Sequence, residues 1–286
     1  MGKKIWYSQP LWYFWEQYRN QQKIARISID DFCALNKQTA YKSEPEYAAN
    51  AHFGSYDLFH EDANGRLLHL FFEDEDLKGF LESTRLADLD GIKRFLSMNG
   101  DKKTLIFMET ENKADCIQYC FGLHIPYENK KEGYAFMITY NRKDDYIELV
   151  YIKGSKVNCL TDLHYKTVLR DDSNSAKEMA RMFRLAMNTI AYMYCYPDCI
   201  VDGVPRITVD NGETEIRRAI SLKTSEKIKE SSETNNKSPH FRKGYWKYCG
   251  SNFYTNMQGQ FVFVSETMVK GQAKTVKTAS NLSSFS

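Results

Sequence analysis

Apolar residues recur along this chain first at helical and then at strand spacing, and the change of period predicts its elements. Pro10 stands where a helix can begin, because its missing N–H would be unpaired in the first turn anyway. The segment 11–25 reads as helix, supported by Glu16, Gln17 and Arg19, with Leu11, Trp15, Tyr18 and Ile24 on one stripe and Trp12 and Tyr13 outside it. A second helical stripe, Leu86, Leu89, Ile92, Phe95 and Leu96, falls within 84–98, with Ser83 or Thr84 as its cap. Runs at 67–72, 104–108, 134–140 and 146–152 predict strands. The polar Asn141-Arg142-Lys143-Asp144-Asp145 turn joins the last two into an antiparallel hairpin.

The longest helical signal covers 175–196. Met179, Met182, Phe183, Ala186, Ile190, Met193 and Tyr194 recur at three and four residues, Ser173 or Ser175 can cap the start, and Pro197 stops it. Its four methionines, Met187 included, suit an irregular core; an adaptable groove is the alternative. After Val204-Pro205 the periodicity dissolves, and 224–237 is too polar to be buried. Beyond it, 244–248 and 261–264 predict short strands, and 280–286 a frayed end. The expected fold is α+β: a mixed helix and antiparallel-sheet body over 1–222 that binds the partner, a polar linker over 223–237, and a small basic β-rich module over 238–286.

Charge sharpens this division. The net charge is only +2, yet from Ile220 onward ten Lys and Arg face four Asp and Glu, a net of +6, so the rest carries −4. Between Asp57 and Asp90 ten acidic residues face three basic ones. A hydrophobic fraction of 42% with 27% charged residues excludes a disordered or fibrous chain. No stretch has the ~18 uninterrupted apolar residues of a spanning helix, and the Lys-containing start lacks a signal-peptide pattern, so a cytoplasmic location is expected. The seven cysteines include pairs at 116/120 and 195/199, which is helical rather than zinc-ribbon spacing, and they read as reduced core thiols. The rings of Trp6, Tyr7, Trp12, Tyr13, Phe14, Trp15 and Tyr18 are expected to pack the N-terminal helix on the body, with a binding surface as the alternative.

No catalytic, cofactor-binding or metal-binding set is legible. The chain has no phosphate-binding Gly-rich loop, no dinucleotide turn and no Gly-x-Ser-x-Gly elbow. His52, His60, His69, His124, His164 and His240 are scattered, with no two at metal-ligand spacing on one element. Asp144, Asp145, Glu148 and Lys153 would be the hairpin carboxylates of a metal-dependent nuclease, but alternation sets Glu148 opposite Lys153 and a solvated hairpin edge fits better. The run Glu73-Asp74-Glu75-Asp76 reads as a turn or the approach to a helix rather than a cation site.

The densest constellation is Ser238-Pro239-His240-Phe241-Arg242-Lys243-Gly244-Tyr245-Trp246-Lys247-Tyr248. Cations among aromatic rings suit phosphate contact and base stacking, so His240, Arg242, Lys243, Tyr245, Trp246 and Lys247 are the candidate residues for binding nucleic acid or an acidic partner. The alternative is a strand with rings inward, Arg242, Gly244, Trp246 and Tyr248 on one face and Lys243, Tyr245 and Lys247 on the other.

The string 238–246, followed by Phe261-Val262-Phe263-Val264-Ser265-Glu266-Thr267-Met268-Val269, resembles a C-terminal signature of phage and plasmid proteins. In that signature a Pro-His-x-Arg-Arg-Gly-His-Trp segment precedes a Trp-Val/Ile-x-x-x-x-Val strand. Characterised proteins that share it are the type V-A anti-CRISPR proteins acting on effector biogenesis. Cys195-Tyr196-Pro197-Asp198 and Gly203-Val204-Pro205 are similar in order to the same family. Lys243 replaces an Arg, Tyr245 replaces the second His, and Phe263 stands near the usual Trp, so no role needing two imidazoles carries over. The resemblance implies a counter-defence protein of a mobile element; no cofactor and no membrane partner are expected, and the expected location is the bacterial cytoplasm. Its implied partner is a CRISPR effector or its nascent N-terminal peptide, with RNA or the ribosome, and its implied effect is loss of the effector's message. A nucleic-acid-binding accessory protein of a phage or plasmid is the second reading and a metal-dependent nuclease the third.

Overall fold

The computed structural model describes residues 6–43, 45–86, 89–99, 116–127, 133–205, 216–225, 241–242, 244–251, 256–264 and 267–268. The predicted strand at 104–108, most of the predicted linker (226–237) and the end at 280–286 lie outside them.

The fold is α+β. The first half runs β1 (Trp6–Tyr7), α1 (Trp12–Ala25), α2 (Ile29–Ser43), α3 (Glu46–Ala63), β2 (Leu68–Phe72), α4 (Glu75–Ser83), β3 (Arg85–Leu86), α5 (Leu89–Asn99), β4 (Cys116–His124), β5 (Pro126–Tyr127), β6 (Tyr134–Asn141) and β7 (Tyr146–Lys153). Then follow β8 (Lys156–Thr161), α6 (Asp162–Val168), α7 (Asn174–Cys195), β9 (Ile200–Asp202), β10 (Ala219–Leu222), β11 (Phe241–Arg242), β12 (Tyr245–Tyr248), β13 (Phe261–Val264) and β14 (Thr267–Met268). A seven-stranded sheet in the order β8-β7-β6-β4-β2-β10-β9 forms the centre. It is antiparallel from β8 to β4, parallel at β4–β2 and β2–β10, and antiparallel again at β10–β9. The predicted 134–152 hairpin is thus an interior pair of the sheet, not an edge open to a peptide.

Alternation sorts the sheet's side chains into two cores. Leu70, Phe121, Phe136, Ile138, Leu149 and Tyr151 face α4, α5, α7 and the β12–β13 hairpin. Cys120, Ala135, Met137, Val150 and Ile152 face α1 and α3. Gly54 lets α3 lie close on that second face, since a Cβ there would come within 2.6 Å of Met137 Cε. The N-terminal rings mostly pack, as expected: Phe14 and Tyr18 are buried around Phe59 and Phe32. Ile24 departs from the predicted stripe and is 87% exposed, because the last turn of α1 runs past the body.

The long helix α7 is capped by Ser173, whose hydroxyl accepts from Ala176 N at 3.2 Å, and it ends before Pro197. Met182, Met187 and Met193 are buried in the first core, so the methionines fill space rather than line a groove. The second predicted stripe divides: 85–86 is strand β3 and helix starts only at Leu89. Asp74 converts the acidic run into a helix start, its carboxylate accepting from Leu77 N at 2.9 Å. In the predicted basic module, β12 and β13 pair as an antiparallel hairpin whose Trp246 and Phe261 belong to the main core, beside Phe95 and Tyr194. All seven cysteines are free; burial pushes the Cys195 thiol up to about 12, and its Sγ donates to Phe261 O at 2.9 Å.

Candidate functional site

Strand β12 forms a small three-stranded sheet, antiparallel to β13 and parallel to β3. Trp246 lies opposite Leu86 and Phe263, and the indole is 1% exposed; the core therefore claims this ring. Gly244 is needed beside it, because a Cβ there would meet the Phe263 ring at 2.4 Å. Alternation then turns Tyr245 and Lys247 to the other face, where both are half-buried. Tyr245 lies directly opposite Arg85, which is exposed. Arg242 pairs through its backbone with Thr267 in the β11–β14 ladder. His240 and Lys243 lie outside the described residues. The structure therefore brings Tyr245 and Lys247 together with Arg85 and assigns Trp246 to the core.

Arg85 leads into a cleft that the sequence reading missed. It has a volume of about 540 Å³ and lies between the end of α4, β3, α6 and α7. Its polar lining is Glu82, Ser83, Arg85, Tyr165, Arg181 and Arg184, and its apolar lining includes Leu86 and Leu169. One row of α7 shapes this corner. Arg181 Nη2 donates to Glu82 Oε2 at 2.8 Å and Arg184 Nε to the Glu82 carbonyl at 2.6 Å. Asn188 Nδ2 donates to the Leu81 and Thr84 carbonyls at 2.7 and 2.9 Å. These side chains take up carbonyls that a helix C-terminus leaves unpaired. Lys78 Nζ lies 2.7 Å from Glu82 Oε1, so that carboxylate is held between two cations. The 181/184/188 spacing of polar residues on α7 was the available signal, obscured by the apolar stripe used to find the helix.

A second polar cluster is buried beneath α1. His69 and His124 come from the neighbouring parallel strands β2 and β4, and His69 Nδ1 lies 2.8 Å from His124 Nε2. His69 Nε2 is 3.0 Å from Asp62 Oδ1, and Trp15 Nε1 donates to Asp62 Oδ2 at 2.7 Å. Burial, and then the neighbouring His69, hold His124 well below the ordinary imidazole range. The cluster joins four elements, α1, α3, β2 and β4.

The hairpin carboxylates do not converge. Asp145 accepts from the Tyr140 hydroxyl at 3.1 Å and faces Lys93, whereas Glu148 is half-buried beside Cys159, with burial raising its pKa. Lys153 pairs with Glu178 on the opposite face of the sheet. Among the described residues, no three or more His, Cys, Asp and Glu are grouped to hold a metal ion, and no helix is long and apolar enough to cross a membrane. Comparison with known protein families, with curated proteins and with solved structures finds no match to this chain.

Proposed function

We propose that this chain works by binding, and that the outward face of the β12 hairpin contacts single-stranded RNA. The observation that carries the reading is the alignment of Tyr245 and Lys247 with Arg85 on one accessible face, anchored from below by Trp246. A tyrosine ring offers stacking to any base, and Lys and Arg supply contacts to the phosphates between stacked bases. The biological setting is that of a counter-defence protein of a mobile element in the bacterial cytoplasm. It engages the N-terminal peptide of a CRISPR effector and, through the RNA being translated, lowers the effector's expression. That setting is supported by the resemblance carried by 238–246 and 261–269.

Fluorescence anisotropy with a labelled single-stranded RNA tests the RNA contact. Tyr245→Ala should weaken binding about tenfold, the value of one stacked base. Lys247→Ala should lower the slope of log affinity against log salt by about 0.7, the share of one phosphate on a single strand. Unchanged affinity and slope in the double variant would sink this reading.

A further inference from the structure

We infer that the arginine-lined cleft between α4, β3, α6 and α7 is a phosphate-binding pocket that takes a nucleotide, either free or as the 5′-terminal unit of an RNA strand. About 540 Å³ is within the range of small-ligand sites, which typically span roughly 300–1,000 Å³. Arg85, Arg181 and Arg184 line it with a single carboxylate, Glu82, which is already matched by Lys78 and Arg181. An anionic ligand therefore completes the charge balance, whereas a cationic or neutral one would not.

Two of the three guanidinium groups are fixed before any ligand arrives. Arg184 is tied by its Nε to a backbone carbonyl, and Arg181 by one Nη to the Glu82 carboxylate and by the other, at 3.5 Å, to Glu178. Each guanidinium has five N–H groups, so both keep donors for an oxyanion, and their rotamer entropy is already spent. Phosphate fits better than a lone carboxylate, because a dianion with three terminal oxygens can receive several arginine forks at once. Ser83 adds a hydroxyl at the same wall.

Capping of α4 alone does not explain the site. It accounts for Arg184 Nε and Asn188, but not for the exposed Arg85 on β3 or for Leu169, which lines the cleft while 53% exposed. With Leu86, Leu169 gives an apolar wall against which a flat base or a ribose can lie. Inorganic phosphate would leave that wall uncovered.

Calorimetric titration of the full chain with ADP, with pyrophosphate, and with one eight-nucleotide RNA carrying either a 5′-monophosphate or a 5′-hydroxyl tests the inference. ADP should bind more tightly than pyrophosphate if the free nucleotide is the ligand. The 5′-phosphate strand should outbind its hydroxyl twin if the ligand is a strand terminus. In either case Arg85→Gln, an exposed change that leaves the α4 corner intact, should cost about tenfold, the value of one charge-assisted hydrogen bond. Arg184→Lys, which keeps the charge but loses the fork, should weaken the same ligand. Absence of ADP binding together with equal affinity for the two RNA strands would overturn the pocket, even if Tyr245 and Lys247 still govern RNA affinity. The reverse result, ADP bound and the Tyr245→Ala variant unaffected with RNA, would count against the hairpin face alone.

Discussion

His69 and His124 show what one buried residue contributes to the pH response of the whole chain. The folded protein holds His124 neutral, through burial first and through His69 second. The unfolded imidazole takes up a proton near pH 6.5. Below that value the unfolded state binds more protons than the folded one, so stability is complete above about 6.5 and falls as pH drops, by at most about 1.4 kcal/mol per pH unit for one site. Urea midpoints measured between about pH 7.5 and 5.5 should therefore decline in the native chain. The decline should be shallower in His124→Gln, which keeps a polar group near His69 but does not titrate. Parallel slopes in the two proteins would contradict this account. The sequence shows both histidines but not their meeting, which depends on a β2–β4 register that sets His69 beside Gly122, two residues from His124 on one face.

Among the elements, α4 is held at its start as well as by Leu77 and Leu81 in the main core. Asp74 caps the helix through Leu77 N and also accepts from the Thr224 hydroxyl at 2.7 and 2.8 Å, which ties the strand end after β10 to the same point. Asp74→Ala should cost about 1–2 kcal/mol in denaturant unfolding, and Asp74→Asn clearly less, because the amide oxygen can still cap. Equal losses would mean that the charge, not the cap, matters. This helix start is visible in the acidic run, as are α1, α7 and the β6–β7 hairpin, each carrying a strong period or a proline boundary. By contrast α2 and α3 are hidden in the sequence. In α2 the polar residues Asp31, Asn36, Lys37 and Gln38 break up the apolar positions, and Phe32, Cys33 and Ala40 are too few to mark a stripe. In α3 the buried Tyr56, Leu58 and Phe59 crowd into one turn after Gly54, which leaves no repeat to read. Strand β4 is hidden for the opposite reason, being buried on both faces with a glycine and a histidine near its end.

For the whole molecule, the decisive fact is that the C-terminal hairpin shares the main core. Trp246 stacks on Phe261 and packs against Phe263 and Tyr196. Trp246→Ala should cost about 3–5 kcal/mol, a large part of the 5–15 kcal/mol that holds a typical domain together. Trp246→Phe should cost much less, since among the described residues the indole N–H has no hydrogen-bond partner to lose. Thermal unfolding of both variants checks this; a mild effect of the alanine would mean that the hairpin is dispensable to the core. The cation-aromatic string stands out in the sequence, yet the placement of its side chains does not, because only pairing with β3 turns Trp246 inward and Tyr245 outward.

The placement of β10 sets a timetable for synthesis. Leu70 in β2 and Ile220 in β10 are register partners, so one interior hydrogen-bonding edge of the central sheet stays open while synthesis advances 150 positions. At roughly 5–20 residues per second, β2 waits on the order of 8–30 s for its neighbour on the ribosome. During that interval the nascent chain offers an unpaired parallel edge to any other strand in reach.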